Sequence, residues 1–119
     1  MLFICYPKCS TCQKARKYLT ERQINFTERN IKEERPTAEE LRKWIAVSGL
    51  PVRKFFNTSG LLYKEMNLKE KLSQMTEEEQ IELLASDGML VKRPLLITEK
   101  TVLAGFRAEQ YDEVISRKR

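Results

Sequence analysis

Two cysteines three residues apart, Cys9 and Cys12, stand where a short apolar run, Leu2-Phe3-Ile4-Cys5, breaks at Pro7 and gives way to a helical pattern. A thiol at the start of a helix sits in the partial positive charge of the free N–H groups, which favours its thiolate form. The chain has no histidine. Cysteine–histidine catalysis and histidine metal sites are therefore excluded, and thiol activation falls to the helix terminus and to Lys or Arg. This makes Cys9 the candidate nucleophile. Cys12, within one turn of it, either packs on the helix face or closes a disulfide with Cys9, and the spacing favours closure. Cys5, the remaining one of the three cysteines, reads as a small buried hydrophobe in the strand.

Two metal readings compete. A Cys-x-x-Cys pair also begins zinc sites, but a structural zinc needs four ligands, and no distal thiol or imidazole exists to supply the fourth. The spacing Cys5-x-x-x-Cys9-x-x-Cys12 matches the iron–sulfur ligands of radical S-adenosylmethionine enzymes, yet the chain is too short for their barrels. No metal site is expected. Lys8, Lys14 and Arg16 are the nearby cations that could lower the Cys9 pKa or simply stand in solvent, with Lys8 a candidate substrate-binding residue. Arg93-Pro94 opens a later strand, where proline is tolerated, and an X-Pro bond beside a site is a candidate for the cis form. Arg107, beyond the hairpin that follows, is a further candidate cation.

The elements that must hold these residues are legible from their periodicity. Leu2 to Cys5 is a strand, Ser10 to about Glu21 a helix with Cys12, Ala15 and Leu19 on one face, and Ile24 to about Ile31 a second strand. Strand, helix and strand in so short a span make a βαβ unit with parallel strands. Thr37-x-x-Glu40 is a capping box that opens a helix with Leu41, Trp44 and Ile45 inward, stopped by Gly49. Leu50 to Phe56 suits a short helical piece, Asn57 to Gly60 a turn, and Leu61 to Leu72 a weakly amphipathic helix. Thr76-x-x-Glu79 caps another helix that ends at Asp87-Gly88. Strands at Pro94–Thr98 and Thr101–Ala104 flank a two-residue turn, hence an antiparallel hairpin. A last helix buries Tyr111, Val114 and Ile115. The expected fold is α/β: a thioredoxin-like four-stranded mixed sheet, β-α-β … β-β-α, in one domain over residues 1–119. Residues 1–31 and 92–119 form its core, and 37–88 a helical insertion.

The totals agree with a small globule. The chain has 119 residues, 41% of them hydrophobic, and no apolar run near the roughly 18 needed to span a membrane. No signal peptide is visible, and three clustered cysteines do not make a secreted disulfide framework. A cytoplasmic protein is expected. The net charge of +5 is spread along the chain, as on a solvated surface, and Ser116-Arg117-Lys118-Arg119 reads as a frayed tail.

Cys-x-x-Cys on a strand-to-helix turn, Lys92-Arg93-Pro94-Leu95-Leu96-Ile97 and Gly105-Phe106-Arg107 together resemble the arsenate reductase and Spx family of the thioredoxin superfamily, from the first strand to the last helix. The resemblance implies Cys9 as nucleophile, Arg93 as an oxyanion-binding arginine, a cis Pro94, and Arg107 as a second anion ligand. The chain departs from the glutathione- and glutaredoxin-linked arsenate reductases in having Asn57 where that pattern has an arginine, and in having a second cysteine. The Cys9/Cys12 pair resembles the redox switch of Spx, while Gly49 to Gly60 is closer to the short, reductase-like members. Two functions follow as expectations. One is a thiol–disulfide reductase acting on a small oxyanion or a thiol/disulfide substrate, with Cys12 resolving, no bound cofactor, and glutathione, glutaredoxin or thioredoxin as reductant. The other is a redox-sensing regulator that binds the RNA polymerase α subunit without touching DNA.

Overall fold

The apolar run after Met1 becomes β1 (Leu2–Cys5), an inner strand of a four-stranded sheet ordered β2-β1-β3-β4. In this computed structural model, which describes residues 1–118, β2 (Thr27–Asn30) lies parallel to β1. Both β3 (Leu95–Ile97) and β4 (Val102–Ala104) add antiparallel on the other side. Phe3 pairs with Leu96 and Ile4 with Leu95, and because side chains alternate along a strand, successive residues feed opposite faces. On one face Phe3, Cys5 and Leu96 pack with Cys12, Ala15 and Leu19 of α1 (Ser10–Glu21) and with Tyr111, Val114 and Ile115 of α6 (Ala108–Lys118). On the other, Ile4 and Leu95 pack with Leu41, Trp44 and Ile45 of α2 (Ala38–Ser48) and with Ile81 and Leu84 of α5 (Glu77–Ser86). This is the mixed, helix-covered sheet read from the sequence.

Both capping boxes form. Thr37 Oγ1 accepts from Glu40 N at 3.1 Å while the Glu40 carboxylate accepts from Thr37 N at 3.0 Å. Thr76 and Glu79 repeat the exchange at 3.1 and 2.9 Å. Gly49 ends α2 in the left-handed region, φ 71°, where glycine carries no Cβ penalty.

Two boundaries differ from expectation. The second strand begins at Thr27, not Ile24, because α1 ends in a Schellman turn that carries the chain past Ile24. There Gln23 N donates to Thr20 O at 3.0 Å and Ile24 N to Leu19 O at 3.1 Å, with Gln23 at φ 57°. No glycine advertises that turn. Ile24 and Phe26 keep their apolar role, packing half-buried beside Phe3 without pairing. The helix expected over Leu61–Leu72 is two short ones, α3 (Leu61–Glu65) and α4 (Leu68–Lys71), because Asn67 adopts φ 53° between them. Leu50–Phe56 holds a single 3₁₀ turn, Val52–Phe55.

One contact seats the helical block against the end of β2. Gly88 lies so close to the backbone that a Cβ there would stand 1.9 Å from the Ile31 carbonyl oxygen. Of the expected tail, α6 continues to Lys118, and Arg119 lies outside the described residues. Among the described residues no helix is long and apolar enough to cross a membrane.

Candidate active site

β1 delivers the chain to a turn closed by Cys9 N donating to Tyr6 O at 2.9 Å. Cys9 then occupies the N-cap of α1 with extended backbone, φ −85° and ψ 124°. Ser, Thr, Asp or Asn usually take that place and bond the first free N–H groups. Cys9 closes no cap bond of ordinary geometry, so those donors stay available to a thiolate. Burial works against ionisation, but the Cys12 N–H and thiol, the Thr11 N–H and the Arg93 guanidinium outweigh it and hold the Cys9 thiol below its ordinary value.

Cys12 is in the opposite situation. It is fully buried, and its Sγ accepts from Tyr6 N at 3.3 Å. Burial, opposed by that N–H and reinforced by the Cys9 and Cys5 sulfurs, pushes its thiol up to about 12. One half-buried thiol of lowered pKa backed by one fully buried, weakly acidic thiol is the asymmetry a nucleophile and its resolving partner require. Both are free thiols in this structure. Among the described residues no group of three or more potential ligands is placed to hold a metal ion.

A cavity of about 600 Å³ opens beside Cys9. Thr11 lines it from α1, Lys92 and Arg93 from the approach to β3, and Arg107 and Gln110 from the start of α6. Lys54 and Asn57 line it from the helical block. That last pair arrives through a long-range backbone clamp. Phe56 bridges Val91, Lys92 N donates to Phe55 O at 2.7 Å, and Asn57 N donates to Leu90 O at 2.8 Å. Gly105, at φ 89°, passes within 3.0 Å of the Lys92 side chain at its Cβ position, and its N–H donates to Pro94 O at 2.8 Å. Arg93 is steadied by the Met89 carbonyl at 3.5 Å and by the Tyr6 ring, 5.2 Å from its guanidinium carbon. A larger cleft of about 840 Å³ lies between Gly49–Arg53 and α5 but contains no thiol.

Of the residues singled out in the sequence, Cys9, Arg93 and Arg107 meet at this cavity. Cys12 lies behind Cys9, and Pro94 is buried under Arg93, joined to it by a cis peptide bond. Lys8 is exposed in the turn before α1 and does not line the cavity. Sequence reasoning passed over Lys54 and Lys92. Their only signal was adjacency to residues already of interest, Asn57 and Arg93.

The family model for ArsC matches residues 5–114. This chain belongs to the ArsC family. Among solved structures, an ArsC family related protein from Bacteroides fragilis is 59% identical, with a TM-score of 0.93 and 95% of each chain covered. YusI of Bacillus subtilis is 52% identical over 95% of this chain and 96% of its own length. The arsenate reductase from Vibrio cholerae is 28% identical, with a TM-score of 0.82 over 96% of this chain and 98% of that one. The global transcriptional regulator Spx of Enterococcus faecalis is 29% identical over 93% of this chain and 83% of its own length. The chain is thus similar in structure to a protein named as a reductase and in sequence to one named as a regulator.

Proposed function

We propose that this ArsC-family protein is a thiol–disulfide oxidoreductase in which Cys9 attacks and Cys12 resolves. The observation that carries the reading is the placement of Cys9, a thiol of lowered pKa facing a cavity with four cations, Lys54, Lys92, Arg93 and Arg107, and no carboxylate in its lining. The Cys9 thiolate attacks one sulfur of a disulfide, forming a mixed disulfide and expelling the other half as a thiolate, whose charge the cavity cations stabilise. For an oxyanion substrate Arg93 and Arg107 bind the negative oxygens. Cys12 then loses its proton and attacks Cys9 Sγ, closing Cys9–Cys12 and releasing the second thiol. An external dithiol or two molecules of a monothiol, such as glutaredoxin, thioredoxin or glutathione in a reducing cytoplasm, return the pair to the reduced state. The test is Cys9→Ser assayed for reduction of arsenate and of a glutathione mixed disulfide. Loss of both activities is expected, and unchanged turnover overturns the assignment.

Similarity to Spx favours a second reading, in which Cys9–Cys12 oxidation alters a surface that binds the RNA polymerase α subunit. A pull-down with that subunit, oxidised against reduced, separates the two, and no binding in either state eliminates the regulator.

A further inference from the structure

One thiol, Cys5, has no part in the Cys9–Cys12 cycle. We propose that Cys5 is a second resolving thiol, which takes Cys12 from the Cys9–Cys12 disulfide and returns Cys9 as a free thiolate. The proposal rests on the assignment of Cys9 and Cys12 as a redox pair.

The geometry is that of three sulfurs in sequence from cavity to core. Cys9 lines the cavity, and Cys12 is buried behind it. Cys5, also fully buried, shares the cluster formed by Cys12 and the inner face of α1. The Tyr6 N–H that Cys12 Sγ accepts at 3.3 Å belongs to the peptide unit immediately after Cys5. Adding the short Cα–C–N span of standard backbone geometry puts Cys12 Sγ no more than about 6 Å from the Cys5 Cα. Closing a disulfide brings the two sulfurs to bonding distance, so Cys12 Sγ has to move toward Cys5, whose side chain packs in the same buried cluster. Arg16, one turn beyond Cys12, donates from Nη2 to Cys5 Sγ at 3.3 Å while pairing with Glu28 at 2.7 Å. Cys5 therefore lies beneath α1 beside Cys12 and in contact with Arg16, which only partly offsets the burial and the Glu28 carboxylate that hold its thiol above the ordinary value.

In the step, Cys5 Sγ attacks Cys12 Sγ, and its proton passes to water in the cavity that the departing Cys9 lines. The Cys5–Cys12 bond forms, the Cys9–Cys12 bond breaks, and Cys9 leaves with the electron pair. Nothing is oxidised or reduced overall; the oxidising equivalent moves into the core. Exchange proceeds best when the departing sulfur is the more acidic one, and Cys9, held as a thiolate by the N–H groups of α1 and by Arg93, is that sulfur. Regenerated Cys9 can then engage a second disulfide molecule before an external thiol has reduced the first pair.

Trypsin provides a direct readout, because cleavage after Lys8 and Lys14 puts Cys5 on peptide 1–8 and both Cys9 and Cys12 on peptide 9–14. A Cys5–Cys12 bond cross-links the two peptides, whereas Cys9–Cys12 is internal to one. Cys9→Ser protein is oxidised with diamide, alkylated, taken from the monomer band of a non-reducing gel and digested. Linked peptides are expected, and this variant leaves the core untouched. In oxidised wild type the same linkage should appear together with alkylated Cys9, and both should be lost in Cys5→Ala. Unlinked peptides in Cys9→Ser and wild type, with the internal disulfide present in wild type, overturn the role of Cys5 and leave the redox pair standing. Absence of the internal disulfide as well overturns both.

Discussion

Replacing Glu40 by Gln should destabilise the protein by roughly 1.5–2 kcal/mol at pH 7, and the penalty should disappear in acid. Arg29 reaches Glu40 from β2 through two bonds, Nη1 to Oε2 at 2.7 Å and Nη2 to Oε1 at 2.8 Å. The same guanidinium donates to the Glu34 and Arg35 carbonyls at 2.8 and 3.0 Å, so it is held in place for the carboxylate. Led by the Arg29 hydrogen bonds and aided by the Thr37 cap, these contacts overcome burial and hold the Glu40 carboxyl at about 2, against an ordinary 4.5. That gap corresponds to about 3 kcal/mol at most. Glu40 is 32% exposed and Arg29 18%, and solvent screening brings the figure down to the range given. Because the folded carboxyl is the more acidic one, its contribution is complete above about pH 4.5 and is lost as pH falls toward 2. Glutamine keeps an oxygen for the Thr37 N–H, so the variant isolates the charge. Urea unfolding of both proteins at pH 7, 4 and 3 measures it, with a midpoint shift of about 1 M at pH 7. A difference that stays constant from pH 7 to 3 would refute the ion pair as its source. Activity should fall with stability, since α2 leads directly into the segment that carries Lys54 and Asn57 to the cavity.

Iodoacetamide alkylation of Cys9 should reach half its maximal rate below the roughly 8.5 of a free thiol, and Arg93→Met should move that midpoint upward. Cys12 should stay unmodified in the folded protein at pH 9, given a thiol pushed up to about 12 by burial; equal labelling of the two cysteines by mass spectrometry would contradict their asymmetry. Gly88→Ala should cost about 3 kcal/mol or more by unfolding, because backbone has to move to admit the methyl. Phe55, fully buried beside Lys54, should cost about 3–5 kcal/mol on truncation to Ala. Lys54→Ala, which touches only the cavity rim, should raise KM for anionic disulfides several-fold with kcat little changed. A fall in kcat alone would assign Lys54 to the chemical step instead.

The local signals in the chain were sufficient for the architecture. The apolar run Leu2–Cys5, the spacing of Cys12, Ala15 and Leu19, two capping boxes and the Glu99-Lys100 turn each depend on neighbours within a few residues, so each was readable. The helix-start position of Cys9 is of the same kind, and with histidine absent it pointed to thiol chemistry without a structure. Where the sequence failed, the deciding residue broke a local habit: Gln23 and Asn67 take positive φ without being glycine. Tertiary structure alone decided how the cavity is furnished. The Phe56–Val91 bridge sets Lys54 beside Lys92 and Arg93, and no periodicity encodes a contact across that distance. Burial, too, is a property of the assembled molecule: Cys9 and Cys12 are the same residue type three positions apart, and it is the packing of α1 against β1 and α6 that buries Cys12 and raises its thiol, while the N–H groups at the start of α1 and Arg93 lower that of Cys9.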